Sequence, residues 1–261
     1  MDTPATSHID KIRQQFTRQA EAYEAVPIVT DPAFLNYIVS ISGVGTNDRV
    51  LDVASGPGFV AMAFAPHCRE VVGIDATDRF IERARAEAER RKLANVAFQS
   101  GLAESLPLPD GAFDLAVCRF AFHHFLNPSA VLSEMRRVVR SGGRLVVVDM
   151  VASEDPAKAA YHNEIERLCD PSHARALPAS EFERMFAAER LEITYRQTVH
   201  SAYGLKEWLA HGAPPPDRTA RIYEMLEASL LEDKCGLSVR RENGEIHFSH
   251  VGASYVLRKS A

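Results

Sequence analysis

Arg49-Val50-Leu51-Asp52-Val53 is an apolar run that carries one acid, and it breaks into Ala54-Ser55-Gly56-Pro57-Gly58-Phe59, a small-residue loop with two glycines. A second apolar run, Val71-Val72-Gly73-Ile74, ends in Asp75. Two strands, each with a carboxylate at its end, joined by a glycine loop and a helix, form a nucleotide-binding βαβ unit. The rest of the fold has to grow from that unit.

The alternation continues along the chain. Strands are expected at about 49–53, 70–75, 96–99, 113–118 and 144–149. Helices are expected at about 58–65, 77–91 and 129–139, the last stopped by Ser141-Gly142-Gly143. Strands alternating with helices imply parallel pairing with right-handed crossovers. Before this unit, Ile9, Ile12, Phe16, Ala20 and Tyr23 recur at helical steps. Asp31-Pro32 opens a second helix, which Gly43 and Gly45 end. After residue 150 the rhythm breaks into helices at about 157–168, 179–188, 205–209 and 218–231. Two late strands, at about 191–199 and 245–257, are expected to pair antiparallel and close one sheet edge. The expected organisation is an N-terminal helical lid over 1–45, a cofactor-binding core over 46–150, and a remainder over 151–261 with a small helical cap.

At 261 residues, 46% of them hydrophobic, the chain can bury one large α/β core. A net charge of −5 gives no basic footprint for a nucleic-acid backbone. Cys68, Cys118, Cys169 and Cys235 lie far apart, which supports neither a disulfide framework nor a thiolate metal site. No leader peptide and no apolar run of roughly 20 residues is apparent. A cytoplasmic protein without a membrane span, monomeric or homodimeric, is the expectation.

The carboxylates narrow the cofactor. Asp52 beside the loop would repel a phosphate but attract a cation, and S-adenosylmethionine (SAM) carries a cationic amino group and a sulfonium. Asp52, Ala54, Ser55, Gly56 and Gly58 are expected to hold its amino-acid end, the glycines by letting the backbone approach. Asp75 is expected to accept its ribose hydroxyls. Gly56-Pro57-Gly58-Phe59-Val60-Ala61 also satisfies a dinucleotide fingerprint, so an NAD-dependent oxidoreductase stands as an alternative. A non-catalytic protein that binds SAM or its product S-adenosylhomocysteine is another.

Val50 to Gly58, Val72 to Asp75, Gly101 to Asp114 and Val139 to Leu145 together resemble the ordered motifs of class I SAM-dependent methyltransferases. Their subgroup is similar to the ubiquinone/menaquinone C-methyltransferases. The resemblance implies a Rossmann-like, mostly parallel sheet with an antiparallel final strand and helices on both faces. It implies Tyr23 over the cofactor, Ala76 and Phe80 beside the adenine, and backbone groups of Leu102 and Ala103 at the adenine edge. Leu102 replaces the acid that relatives often carry there. After strand four comes Arg119-Phe120-Ala121-Phe122-His123-His124, an Arg…His-His pattern that the family often has. His123 or His124 is the candidate base for a methyl acceptor, and Arg119 is expected either to place a backbone carbonyl toward the cofactor or to bind substrate through its side chain. His173 and Arg175 are candidates to reach a small-molecule acceptor. No metal-ligand spacing is apparent, so no metal is expected.

Overall fold

The computed structural model describes residues 4–24 and 27–260. Helices α1 (Pro4–Glu24), α2 (Pro27–Thr30) and α3 (Pro32–Ser42) open the chain. Asp31 caps α3 by accepting the Ala33 N–H at 2.9 Å, and Gly43 ends it with a left-handed φ of 63°. The alternating core follows: β1 (Arg49–Val53), α4 (Phe59–Phe64), β2 (Glu70–Asp75), α5 (Asp78–Arg90), β3 (Val96–Ser100), β4 (Phe113–Arg119), α6 (Pro128–Val138) and β5 (Val139–Ala152). The remainder comprises α7 (Pro156–Cys169), β6 (Leu177–Pro178), α8 (Ala179–Ala188), β7 (Leu191–Gly204), α9 (Leu205–Gly212), α10 (Pro216–Glu232), β8 (Arg240–Glu242) and β9 (Glu245–Lys259).

One sheet runs β3-β2-β1-β4-β5-β9-β7, with β6 paired to β5 and β8 to β9. The first five strands are parallel, while β9 is antiparallel to both β5 and β7, as the late strands foretold. One boundary differs from expectation. Ser141-Gly142-Gly143 does not end α6; it belongs to an irregular start of β5, where the register against β4 shifts between Phe113 and Leu115.

The period-two alternation of strand side chains decides which layer each residue supports. Leu51, Ala116, Cys118, Leu145 and Val147 pack on the α6 and α8 side, against Leu132, Met135, Phe182 and Phe186. Val50, Leu115, Val117, Val146 and Val148 face the opposite way, toward Ile38, Val60, Phe64 and Ile81 of α3, α4 and α5. A smaller cluster joins α7, α9 and α10 to the start of β9 through Ile165, Trp208, Met225 and Phe248. These are the elements that the sequence reading assigns to a helical cap. Among the described residues no helix is long and apolar enough to cross a membrane.

The sequence of strands reverses direction across the sheet at β1 and β4, so the crevice beyond their carboxyl ends is where this architecture takes a ligand. Gly58 shapes its floor indirectly. It sits at φ +85°, and a Cβ there would lie 2.5 Å from the Phe98 ring and 3.1 Å from the Ala84 Cβ. Gly58→Ala is therefore expected to destabilise the fold by about 2 kcal/mol or more, from left-handed strain plus overpacking. A lower denaturant midpoint checks this; an unchanged midpoint refutes it.

Candidate active site

The first cavity lies beyond β1, β2 and β4. Asp52, Ala54, Ser55, Gly56, Asp75, Ala76, Phe80, Ala103 and Arg119 all line it. Ala54 and Phe120, which follow β1 and β4, both hold left-handed φ angles of 55° and 54°. Non-glycine residues adopt that region at a cost, and such strain concentrates at ligand sites.

Asp75 is almost fully buried, and both its oxygens serve the backbone. Oδ2 accepts the Gly56 N–H and Oδ1 the Thr77 N–H, each at 2.8 Å. Each carboxylate oxygen can accept a second hydrogen bond, so capacity remains for a ligand. Burial raises its pKa despite these bonds. Asp52 is buried more completely, and its Oδ2 accepts the Ala61 N–H of α4 at 3.0 Å. Burial pushes its carboxyl up to about 7, against the lowering pull of the Arg119 guanidinium. Arg119 itself donates to the Val29 carbonyl at 3.0 Å.

Helix α1 roofs this cavity through Ile9, Ile12 and Phe16. Arg13 Nε donates to the Ala76 carbonyl at 3.1 Å, and His8 Nε2 lies 2.8 Å from the His124 carbonyl. The Phe16 ring sits 5.6 Å from Phe80 and 5.0 Å from His124. Tyr23 belongs to α1, but its side chain lies outside the described residues.

A tight turn over Phe122–His124 follows β4 and buries both histidines. Because β4 and β5 are neighbours, with Arg119 opposite Val148, Asp149 arrives beneath that turn. It accepts the Phe122 N–H at 2.6 Å and the Met150 N–H at 2.7 Å, and pairs with His123 Nδ1 at 2.6 Å. Burial opposes a charge on His123, but the Asp149 charge and hydrogen bond outweigh it, and the net shift is upward. His124 behaves oppositely. Burial first, then the charge of His123, bring it down to about 4, so it is neutral near pH 7. Its Nδ1 lies 3.1 Å from the Ser172 carbonyl, where the neutral ring donates from that nitrogen.

A second cavity opens on the other side of these residues, about 220 Å³ against 80 Å³ for the first. Phe16, Phe120 and His124 form the wall shared by both. His123 lines only the second, with Glu166, Tyr203, Trp208, His211 and His250. Trp208 and His211 of α9 thus border this space.

Residues 51–147 match a methyltransferase domain. An uncharacterised methyltransferase of Bacillus subtilis, YcgJ, is 36% identical over 207 residues, covering 79% of this chain and 82% of its own. The chain belongs to the class I SAM-dependent methyltransferases. The crystal structure of YcgJ superposes with a TM-score of 0.83 at 34% identity, over 87% of this chain and 98% of that one. The ubiquinone/menaquinone biosynthesis C-methyltransferase UbiE of Citrifermentans bemidjiense is 30% identical over 162 residues, 59% of this chain and 69% of its own. A [4+2]-cyclase, SpnF, shares the fold across the whole chain at a TM-score of 0.72 and 17% identity, a likeness of fold alone.

Within this methyltransferase, four residues expected at the site line neither cavity. Gly58 turns the chain and makes room for Phe98. The Leu102 side chain is 39% exposed, whereas the expectation there concerns backbone groups, and its neighbours Gly101, Ala103 and Glu104 line the first cavity. Arg175 lines neither cavity, because its guanidinium forms a bidentate pair with Glu181 on α8. His173 is buried behind His123, their ring centroids 5.5 Å apart, with its Nε2 2.7 Å from Asn163 Oδ1. Burial drives its pKa down to about 2, which leaves it a neutral packing residue. The loop carrying both residues still serves the site, since the N–H groups of Ala174 and Arg175 both donate to the His123 carbonyl at 2.9 and 3.0 Å.

Four residues at these cavities were missed. Asp149 was legible as the acid near the end of strand five, facing a histidine pair after strand four. Glu104 falls within a motif that the sequence displays. Glu166 and His250 come from distant elements, and no local pattern joins them.

Proposed function

We propose that this methyltransferase holds SAM in the first cavity, with a small-molecule acceptor in the second and His123, on the wall of the second, as the general base. The observation that carries the proposal is the His123–Asp149 pair on the wall of the second cavity, beside the shared His124.

The first cavity suits SAM by its charge. A carboxylate as buried as Asp52, with a pKa raised to about 7, has too little positive charge around it. A cationic amino-acid end supplies what is missing. Asp75 keeps acceptor capacity for ribose hydroxyls, while Ala76 and Phe80 offer apolar contact to a base. When bound, SAM supplies an electrophilic methyl group on a sulfonium.

The chain supplies the alignment and the proton transfer. Asp149 fixes the His123 ring through Nδ1, so the proton sits on that nitrogen and Nε2 is left with its lone pair. A phenol, enol or hydroxyl in the second cavity can give its proton to Nε2. Asp149 then stabilises the imidazolium. The largely aromatic and apolar wall of Phe34, Phe120, Tyr203 and Trp208 excludes water and fits a compact, partly apolar acceptor. The net charge of −5 supports a small molecule over a nucleic acid.

Calorimetric titration with SAM, S-adenosylhomocysteine and NAD, followed by a SAM-turnover screen over phenolic and enolic acceptors, tests this reading. Binding of the first two and turnover with an acceptor support it. Binding of NAD alone refutes it.

The pKa of Asp52 adds a pH dependence. Its ionised form attracts the cationic ligand, and protonation below about pH 7 removes that attraction. SAM affinity is expected to fall as pH drops below 7, approaching about tenfold per pH unit. Titrations from about pH 8 down to 6 read this directly, and a flat affinity removes Asp52 from the binding role.

A further inference from the structure

Glu166 of α7 stands between two histidines on the far wall of the second cavity. His250 Nε2, from β9, lies 2.8 Å from Glu166 Oε1, and His162 Nε2 lies 3.3 Å from the same oxygen. His162 and Glu166 are one helical turn apart and share a face of α7. The imidazoles of His162 and His250 are near-parallel, 28° apart, at a centroid distance of 5.6 Å. All three residues are buried, His162 to 1% exposure. One donor atom from each falls within 4.8 Å of the others.

The hydrogen bonding of this trio is incomplete. Neither ring nitrogen of His162 has a hydrogen-bond partner, although the ring is fully enclosed. A buried imidazole without a partner is costly, and such a group calls for a ligand.

We propose that His162, Glu166 and His250 form a binding site for one divalent transition-metal ion of the Zn²⁺ class. Two imidazoles and a carboxylate are borderline donors that suit zinc, cobalt or iron over magnesium or calcium. Ligand atoms about 2.1 Å from such an ion lie roughly 3.0–3.4 Å from one another, and the two separations from Glu166 are near that range. A small rotation of His162 brings its lone pair onto the ion. Glu166 and His250 line the second cavity and His162 does not, so the open coordination positions face that cavity. Tyr203 and Trp208 flank the His250 ring at 5.2 and 6.2 Å and shield the site from bulk water. An ion there would take an oxygen donor from whatever occupies the cavity. That last point rests on reading the cavity as the acceptor site; metal binding itself does not.

No local spacing points to this trio, because His162-x-x-x-Glu166 lacks its third ligand until β9 folds back beside α7. The proposal departs there from the expectation of no metal.

Titration of chelator-treated protein with Co²⁺ tests the proposal, read by visible d–d absorption and by metal analysis after dialysis. One Co²⁺ per chain, displaced by Zn²⁺, is expected. His162→Asn and Glu166→Gln are each expected to weaken binding on the order of 100-fold, with S-adenosylhomocysteine binding retained as the control for folding. X-ray absorption of the Zn²⁺-loaded wild type is expected to show two imidazole nitrogens plus oxygen donors, a readout that needs no variant. No stoichiometric binding by folded wild-type protein, binding unchanged in folded variants, or a coordination shell without imidazole would each overturn it. None of these readouts needs an acceptor, so failure here and failure of the methyl-transfer reading are separable.

Discussion

His123→Ala is expected to lower kcat for methyl transfer by about 10²–10⁴-fold while SAM affinity stays within about twofold of wild type. His123 lines the second cavity and not the first, so its removal leaves the proposed cofactor contacts intact. Asp149 offers the finer test. It also accepts backbone N–H groups from Phe122 and Met150, and truncation to Ala would unsettle the whole turn. Asp149→Asn keeps the shape but removes the charge that raises the His123 pKa. A base acts in its neutral form, so wild-type kcat/KM rises with pH through an inflection above the ordinary histidine value of about 6.5. In Asp149→Asn that inflection moves to lower pH while the plateau falls. A kcat within about threefold of wild type in His123→Ala would leave alignment alone as the catalytic contribution of this wall.

Asp75→Ala is expected to weaken SAM binding by about 1.5–3 kcal/mol, or roughly 10- to 150-fold. Two losses combine. The ribose hydroxyls lose a charged acceptor, and the N–H groups of Gly56 and Thr77 lose the carboxylate that fixes the loop. Asp75→Asn retains one acceptor oxygen and is expected to fall between wild type and Ala. Calorimetry with S-adenosylhomocysteine separates this from Asp52, because the affinity deficit of Asp75→Ala is expected to persist at every pH where the fold is intact. Unchanged affinity in Asp75→Ala would end the ribose assignment.

The core of the fold was legible because its signals are local. Apolar runs with a glycine loop between them, Asp31-Pro32 ahead of α3, and the long alternations in β7 and β9 each state their structure within a few residues. Ser141-Gly142-Gly143 misled for a physical reason: glycine permits both a helix stop and an irregular strand start, and only pairing with β4 decides. Much of the first cavity was legible for the same reason as the core, since Asp52, Asp75 and Arg119 lie at the ends of three neighbouring strands. The second cavity was not. It is assembled from α7, α9, β7 and β9, which meet only after the two antiparallel strands close the sheet. His173 and Arg175 follow a turn signal that correctly places a loop but says nothing of which way side chains point. Burial of His173 against Asn163, and the pairing of Arg175 with Glu181, are long-range outcomes. The left-handed backbone at Ala54 and Phe120 was equally invisible, because neither residue type favours it.

Among the described residues helix α1 covers the first cavity, and its Arg13 and His8 side chains reach the backbone carbonyls of Ala76 and His124. Exchange of a spent cofactor therefore passes through the lifting of one amphipathic helix, whose apolar face must be wetted each time. Departure of the product is then expected to be slower than the chemical step once a good acceptor is present. The signature is a pre-steady-state burst of one methylated product per chain, followed by a slow phase that slows further in viscous solvent.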